Sequence, residues 1–197
     1  MSADSSRERI LEAALTLFSE KGSSGTSVEE IATECGMKAP NLYKYFKSKE
    51  DIIDELENHI ENRYQQAMNR GLNTTPWIHN AEEFRIYCTD QIKFTMTNEM
   101  MIKVRKVLII EQYKNEFFRE KSSFHQFYYL REQFSGIFKF LIKQGAIEDE
   151  DPDMLALEYF APISILLQLS DREPEKRDEV MGMMELCIDR FIKRTFH

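Results

Sequence analysis

Residues 27–49 restrict the possible folds of this chain more than any other segment, because two short helical patterns meet there at a glycine. Ser27 precedes Glu30 by three residues, a capping box that predicts the start of the first short helix. Gly36 provides the backbone freedom that a tight turn between two helices requires. Pro40 follows in the first turn of the second helix, where its missing N–H is tolerated. The segment therefore predicts a helix-turn-helix.

The second short helix is predicted to have one buried side. Leu42 and Phe46 are four residues apart, so their side chains point in the same direction and are expected to enter the core. The other sides carry polar and aromatic residues, namely Asn41, Tyr43, Lys44 and Tyr45. Ser48 is expected to cap the helix that follows.

Positive charge is concentrated in the same segment. The whole chain contains 26 Lys and Arg against 34 Asp and Glu, a formal net charge of −8. Between Gly36 and Lys49 there is no Asp or Glu, and the lysines are Lys38, Lys44, Lys47 and Lys49. A confined basic surface on an acidic protein suits contact with DNA phosphates. The alternative is a solvated, lysine-rich loop, but the interleaved tyrosines and the flanking capping signals favour DNA contact.

The segment resembles the N-terminal DNA-binding domain of the TetR/AcrR family of transcriptional regulators. That family has a helix ending in Phe-x-x-x-Gly, then Thr-x-x-x-Ile-Ala-x-x-x-Gly-Val, then Leu-Tyr-x-(His/Tyr)-Phe-x-x-Lys-x-x-Leu. The corresponding parts of this chain are Phe18 to Gly22, residues 27–37 and residues 42–52. The resemblance covers the first quarter to third of the chain, and the remainder is similar only in length and helical character.

The resemblance implies DNA contacts by three groups of residues. The first group contacts phosphate at the start of the second helix, the second faces the major groove, and the third places hydroxyls, ring edges or ammonium groups on phosphates. In that order the residues are Thr26 and Ser27; Lys38, Ala39 and Asn41; and Tyr43, Tyr45 and Lys49. Lys44, one of the lysines of the basic segment, is a further predicted DNA contact.

Individual positions retain alternatives. Lys38 stands where the family usually has a small hydroxyl residue, and Pro40 where it often has Gly, Ala or Ser; both differences affect the operator sequence rather than the binding mode. Asn41 either reads adenine through its N6/N7 edge or belongs to the helix start. Tyr43 either contacts DNA or packs against the first helix.

Helical periodicity continues through the rest of the chain, and no strand pattern or repeat is present. Length and composition are typical of a globular helical protein. We predict an all-α fold, in which an N-terminal three-helix helix-turn-helix domain is joined by a long fourth helix to a helical ligand-binding and dimerisation domain. The predicted domains are 1–50 and 51–197, with a turn-rich junction at 71–80. Further helices are predicted over 82–97, 99–119 and 124–143. Another helix is predicted to begin at 152, and a last one, separated from it by residues 172–174, to end near Arg194.

The last two predicted helices carry more apolar surface than a small core requires. Residues 155–169 are apolar nearly all round, and the final helix has an apolar stripe. Surplus apolar surface on neighbouring helices favours an association face, and the resemblance implies dimerisation through these helices. The predicted interface residues are Leu155, Tyr159, Ile163, Leu166, Met184, Ile188 and Phe191. The alternative is that they belong to the core of one chain.

Aromatic residues are dense in the middle of the chain. For any single one of them core packing is the better explanation, but together they favour an apolar pocket with a few hydroxyl groups, as the resemblance also implies. The candidate lining residues are Phe84, Tyr87, Phe94, Tyr113, Phe117, Phe127, Tyr128 and Phe134. The composition favours a hydrophobic or cationic compound.

From these features we predict a dimeric, ligand-responsive repressor that binds a palindromic operator in double-stranded DNA. A regulator without a small-molecule ligand, controlled by a partner protein or acting as an activator, fits the same motif. An α-helical enzyme is a third hypothesis, but the sequence has no nucleophile–base pair, metal-ligand spacing or glycine-rich phosphate loop. We therefore predict no catalytic residue, cofactor or metal.

The sequence also predicts the cellular location. The polar N-terminus lacks a signal-peptide pattern, and the longest apolar run, residues 155–169, is too short and too interrupted to cross a membrane. The three cysteines, Cys35, Cys88 and Cys187, form no disulfide or metal pattern. A cytoplasmic protein is expected.

Overall fold

The computed structural model describes residues 3–71 and 78–197, and within them the fold is all-α, as predicted. The helices are α1 (Ala3–Lys21), α2 (Val28–Glu34), α3 (Ala39–Leu42), α4 (Lys49–Gly71), α5 (Ala81–Thr97), α6 (Glu99–Glu111), α7 (Glu116–Ser123), α8 (Tyr129–Gln144), α9 (Pro152–Arg172) and α10 (Arg177–Thr195). A π-helical segment, Phe124–Tyr128, lies between α7 and α8, and a 3-10 turn, Pro174–Lys176, precedes α10.

The helices pack as two compact units. Unit 1 comprises Met1–Arg70 and Glu99–Ser122, and unit 2 comprises Gly71–Asn98 and Ser123–His197. The helix α4 and the mid-chain helices α6 and α7 therefore pack in the same unit as the N-terminal helices. The predicted domain boundary after residue 50 stays a prediction, and most of the predicted junction at 71–80 lies outside the described residues.

Local signals in the sequence explain most helix ends. The Ser27 capping box is formed, with the Ser27 hydroxyl accepting from the Glu30 N–H and the Glu30 carboxylate accepting from the Ser27 N–H. The Ser48 hydroxyl accepts from the Asp51 N–H at 3.1 Å, at the start of α4. Asp151 caps α9, with its carboxylate accepting the Asp153 N–H at 2.9 Å.

Two predicted helices are interrupted. The helix expected over 99–119 breaks between α6 and α7, where the Asn115 side-chain oxygen accepts the Phe117 N–H at 2.8 Å. Such a side-chain bond competes with helix continuation and favours a new helix start. The helix expected over 124–143 begins with the π-helical segment and is regular only from Tyr129.

The core of unit 1 is built from the apolar sides of α1, α2, α3, α4, α6 and α7. Leu42 and Phe46 are both buried in it, which confirms the prediction for α3. The other fully buried members include Ile10, Leu15, Phe18, Ile31, Ile52, Leu56, Ile60 and Phe118. The short helices α2 and α3 therefore depend on α1 and on α4 for their position.

Unit 2 has an aromatic core. Tyr159 packs against Phe134 with ring centroids 4.4 Å apart and against Phe84 at 5.3 Å. Phe191 of α10 lies 5.4 Å from Phe138 and 5.9 Å from Phe84. These contacts fix α5, α8, α9 and α10 to one another.

This core corrects the predicted dimer interface. Most of the residues assigned to it are buried inside unit 2 and contribute to one chain's own core, namely Leu155, Tyr159, Met184, Ile188 and Phe191. Ile163 and Leu166 are half-buried and pack against the same core. The apolar stripe of α10 was correctly recognised as buried, but its partner is the same chain.

Gly22, at the end of α1, is expected to tolerate no side chain. Its φ is +75°, and a Cβ there would lie 2.9 Å from Ile110 Cγ2. We expect Gly22→Ala to lower the free energy of unfolding by about 1–3 kcal/mol. The alanine is strained at a positive φ, and its Cβ also clashes with the Ile110 side chain. Gly136→Ala is the matched control, since a Cβ on this exposed residue of α8 meets nothing within 4 Å. Denaturant unfolding should show stabilisation for the control, and equal stability of both variants would contradict the prediction.

Candidate DNA-binding site

The exposed side of α3 and of the turn after it carries the predicted DNA contacts. Lys38 lies at the N-cap with φ −83° and ψ 144° and makes no side-chain cap, as expected for a residue without a hydroxyl. The exposed side chains of residues 38–44 are Lys38, Pro40, Asn41, Tyr43 and Lys44. Ala39 and Tyr45 are half-buried and pack against the unit 1 core. The structure therefore presents two lysines, an amide and a phenol together, without a carboxylate among them.

Arg7 of α1 holds the turn that follows α3. Its guanidinium donates to the Tyr45 carbonyl oxygen at 2.8 Å, forms an ion pair with Glu55 of α4, and lies 4.5 Å from the centroid of the Phe46 ring. Arg7 also lines a surface groove with Lys47. Sequence reasoning missed this residue because its partners are 38 and 48 positions away, and no local pattern links them.

Arg9 supports the turn between α2 and α3 in a similar way. Its guanidinium donates to the carbonyl oxygen of Cys35, the C-cap residue of α2. Gly36 follows with φ +71°, which confirms the predicted glycine turn. Burial raises the pKa of the Cys35 thiol, and the residue packs in the core. Arg9 was also missed, for the same reason as Arg7.

The start of α2 combines an exposed cap with a buried threonine. Ser27 is half-exposed, and Glu30 pairs with Lys21 beside it. The hydrogen bond from Lys21, together with those from the Ser27 N–H and hydroxyl, lowers the pKa of Glu30 to about 2. Thr26 is buried, and its hydroxyl donates to the Gly22 carbonyl oxygen at 2.9 Å. Thr26 as a whole therefore has little surface to offer a phosphate, and its N–H already donates to the Ser23 carbonyl oxygen at 3.3 Å, so its DNA contact stays a prediction.

Lys49, the first residue of α4, reaches the loop between α1 and α2. Its ammonium donates to the carbonyl oxygens of Ser23 at 2.9 Å and Thr26 at 3.1 Å. An ammonium has three donors, so the two bonds leave one for a phosphate at the start of α2. The structure thus gives Lys49 a supporting role in addition to the predicted contact.

The phosphate contact of Lys49 can be measured. Lys49→Ala should weaken binding to specific and mixed-sequence duplexes alike, and the slope of log affinity against log salt should fall by about 0.9 for one lost phosphate. Lys139→Ala, on the exposed side of α8, is the control and should leave the slope unchanged. If Lys49→Ala keeps the native slope, Lys49 holds the loop without touching DNA.

The candidate ligand residues are distributed over both units. Phe84, Tyr87 and Phe134 are buried in the unit 2 core, where the Tyr87 hydroxyl accepts from the Gln133 amide. Burial also raises the pKa of Tyr87, so it stays a neutral phenol. Phe94 is half-buried, while Phe127 and Tyr128 are exposed.

Two of these candidates belong to unit 1 instead. Phe117 packs with Phe118, with ring centroids 5.4 Å apart. Tyr113 is 90% exposed, which does not suit a residue that lines an enclosed pocket. The pocket assignment therefore stays a prediction that now depends on the unit 2 residues.

The described part of the chain contains neither a candidate metal centre nor a candidate membrane span. No group of three or more His, Cys, Asp and Glu side chains is placed to hold a metal ion within residues 3–71 and 78–197. No helix in those same ranges combines the length and apolar character needed to cross a bilayer.

The fold of unit 1 and the exposed side of α3 define a helix-turn-helix DNA-binding protein. Comparison with known families agrees, since residues 10–56 match the model described as bacterial regulatory proteins, tetR family. The Bacillus subtilis probable HTH-type transcriptional regulator YttP is 24% identical over 181 residues, 91% of this chain and 83% of YttP. Other curated relatives match over shorter stretches, for example 47 and 68 residues.

Solved structures share the whole fold. A transcriptional regulator from Saccharomonospora viridis, in complex with choline, has a TM-score of 0.70 at 22% identity, covering 98% of this chain and 99% of the other. The SmeT–triclosan complex has a TM-score of 0.69 at 18% identity, covering 98% and 92%; SmeT is the repressor of the Stenotrophomonas maltophilia multidrug efflux pump SmeDEF. Residues 10–56 therefore carry a DNA-binding domain of the tetR type, and the chain is a DNA-binding transcriptional regulator.

Proposed function

We propose that this regulator is a cytoplasmic, non-enzymatic repressor that binds a palindromic operator as a homodimer and is released by a small molecule. The observation that carries the proposal is the exposed surface of Lys38, Asn41, Tyr43 and Lys44, on α3 and the residues that flank it, whose opposite side is anchored in the core. A rigidly supported recognition helix with lysines around one amide can position itself on phosphates and read base edges.

The outward sides of α9 and α10, two helices that pack against each other in unit 2, support the dimer. Ile165 of α9 is 67% exposed and Leu186 of α10 is 69% exposed. Half-buried apolar residues lie three or four positions from them on the same helices, namely Pro162, Leu169 and Met183. We define these five residues as the outer face. An apolar surface on two adjacent helices suits a self-complementary contact with a second copy, and the outer face replaces the buried residues that sequence reasoning had assigned to the interface.

The small-molecule signal is the second part of the proposal. The unit 2 aromatics Phe84, Tyr87 and Phe134 form an apolar, π-rich part of the core with one hydroxyl. Aromatic faces suit both hydrophobic rings and quaternary ammonium groups. The structural neighbours in complex with triclosan and choline support these two chemical classes as effectors.

Selection of bound duplexes from a random DNA library with the native protein tests the DNA part. The expected result is an inverted repeat whose half-sites are centred about 34–36 Å apart, or a multiple of that, on one side of the duplex. Enrichment of a single undivided site would contradict the palindromic, dimeric mode. Failure to enrich any sequence would contradict specific binding.

The selected duplex then tests the effector. Triclosan and choline serve as probes of the hydrophobic and cationic classes. Because coupling between two sites is reciprocal, a probe that weakens DNA binding by some factor must itself bind more weakly, by the same factor, when the operator is present. A probe that binds equally with and without operator is not the releasing signal.

A further inference from the structure

The C-terminal end of α6 contacts the loop between α1 and α2 through a buried carboxylate. Glu111, the last residue of α6, is 2% exposed. One carboxylate oxygen accepts the Ser23 N–H at 2.8 Å, and the other accepts the Ser23 hydroxyl, also at 2.8 Å. Lys114 lies 3.5 Å from the first oxygen and donates to the Ser24 hydroxyl at 3.4 Å. Both oxygens of Glu111 are therefore committed to the loop.

The backbone of the loop also lies close to α6 at Gly22. Gly22 has a positive φ, and a Cβ at this position would lie 3.0 Å from the Glu111 carboxylate and 2.9 Å from Ile110. Only a glycine fits between these two side chains. The end of α6 and the loop thus have one well-defined arrangement.

Lys49 holds the other side of the same peptide segment. The Glu111 carboxylate accepts a hydrogen bond from the Ser23 N–H, while the Lys49 ammonium donates to the carbonyl oxygens of Ser23 and Thr26. A carboxylate on the donor side and an ammonium on the acceptor side form charge-assisted bonds, which are shorter and stronger than neutral ones. The segment between them leads directly into Ser27, the N-cap of α2.

Other contacts keep α6 in place independently of Glu111. Val104, Val107 and Leu108 are buried in the unit 1 core, and Lys103 donates to the Thr16 hydroxyl of α1 at 3.0 Å. Removing the Glu111 charge is therefore expected to loosen the loop rather than detach the helix.

We infer that Glu111 is a positioning residue for DNA binding: from the end of α6, 88 positions further along the chain, it sets the loop before α2 and with it Ser27, the N-cap of α2. This inference rests on the DNA-binding function proposed above. Glu111 touches no DNA itself. It acts through Ser23, and Lys49 completes the clamp.

The test compares Glu111→Gln with Lys103→Met for binding to a duplex selected by the native protein. Glu111→Gln removes the charge but keeps the shape, and should weaken DNA binding about tenfold, a typical effect of losing a charge-assisted hydrogen bond. Amide hydrogen exchange at residues 23–27 should become faster in this variant. Lys103→Met removes the α6–α1 hydrogen bond away from the loop and should leave both DNA affinity and loop exchange at native values, even where the melting temperature falls.

Each result has one meaning. A folded Glu111→Gln variant with native DNA affinity overturns the inference. An equal loss of affinity in Lys103→Met also overturns it, because general loosening of unit 1 then explains the effect. If Glu111→Gln fails to fold, Ser23→Ala is tested instead, because it removes one of the two hydrogen bonds between Ser23 and Glu111. Native DNA affinity of Ser23→Ala overturns the inference, and reduced affinity supports it. If the native protein binds no duplex, the proposed function fails; the hydrogen-exchange comparison still tests the loop, and native exchange at residues 23–27 in Glu111→Gln overturns the positioning role of Glu111.

Discussion

A folded monomer is the expected product of Leu186→Asp. The side chain is 69% exposed in the single chain, so a charge there stays solvated and the fold of unit 2 is retained. In a dimer formed through the outer face, the same position lies against the symmetry mate, and one substitution appears twice in the interface. Two buried, unpaired carboxylates cost several kcal/mol. Sedimentation should therefore show a monomer with native helix content.

The loss of the dimer should be visible in DNA binding. Two linked recognition helices bind more tightly than one, and separating them should lower operator affinity about 10²–10⁴-fold while weak, salt-sensitive binding to any duplex remains. Ile86→Asp is the matched control, because Ile86 is an exposed isoleucine on α5 of the same unit. It should remain dimeric and keep full affinity. A dimeric Leu186→Asp variant with native operator affinity would place the association surface elsewhere.

Local sequence signals predicted the helix-turn-helix well. The capping box at Ser27, the turn at Gly36 and the spacing of Leu42 and Phe46 each depend on residues no more than four positions apart. Interactions of this range are decided mainly by the segment itself. For the same reason the all-α class and most helix ends could be predicted from the sequence.

Interactions between distant residues could not be predicted. Arg7 holds a turn 38 positions away, and Glu111 holds a loop 88 positions away. Neither residue belongs to a motif, since an arginine on an N-terminal helix and a glutamate at a helix end are ordinary surface choices. Only the packing of α1, α4 and α6 around one core brings these charges to the backbone groups that they bind.

Hydrophobic periodicity also could not predict which side of α10 meets a second copy of the chain. An apolar stripe identifies which side of a helix is buried, but it does not say whether the partner is the same chain or a second copy. On α10 the stripe through Met184, Ile188 and Phe191 fills the core of unit 2, while Leu186 on another side is left exposed. In the sequence Leu186 only widens the apolar stripe of α10, so periodicity alone does not single it out as an exposed position.

Ile188→Asp should therefore have an effect opposite in kind to that of Leu186→Asp, although the two positions are two residues apart on α10. Ile188 is 1% exposed and belongs to the core around Phe84 and Tyr159. A carboxylate there is desolvated inside one chain, and we expect unit 2 to lose its cooperative thermal transition at every protein concentration. The milder Ile188→Val should lower the free energy of unfolding by about 0.5–1.5 kcal/mol and leave the dimer dissociation constant unchanged. Melting curves and sedimentation over a dilution series distinguish the two roles, since damage to an interface grows on dilution and damage to a core does not. A monomeric Ile188→Asp variant with a native melting temperature would show that this side of α10, and not the outer face, meets the second copy.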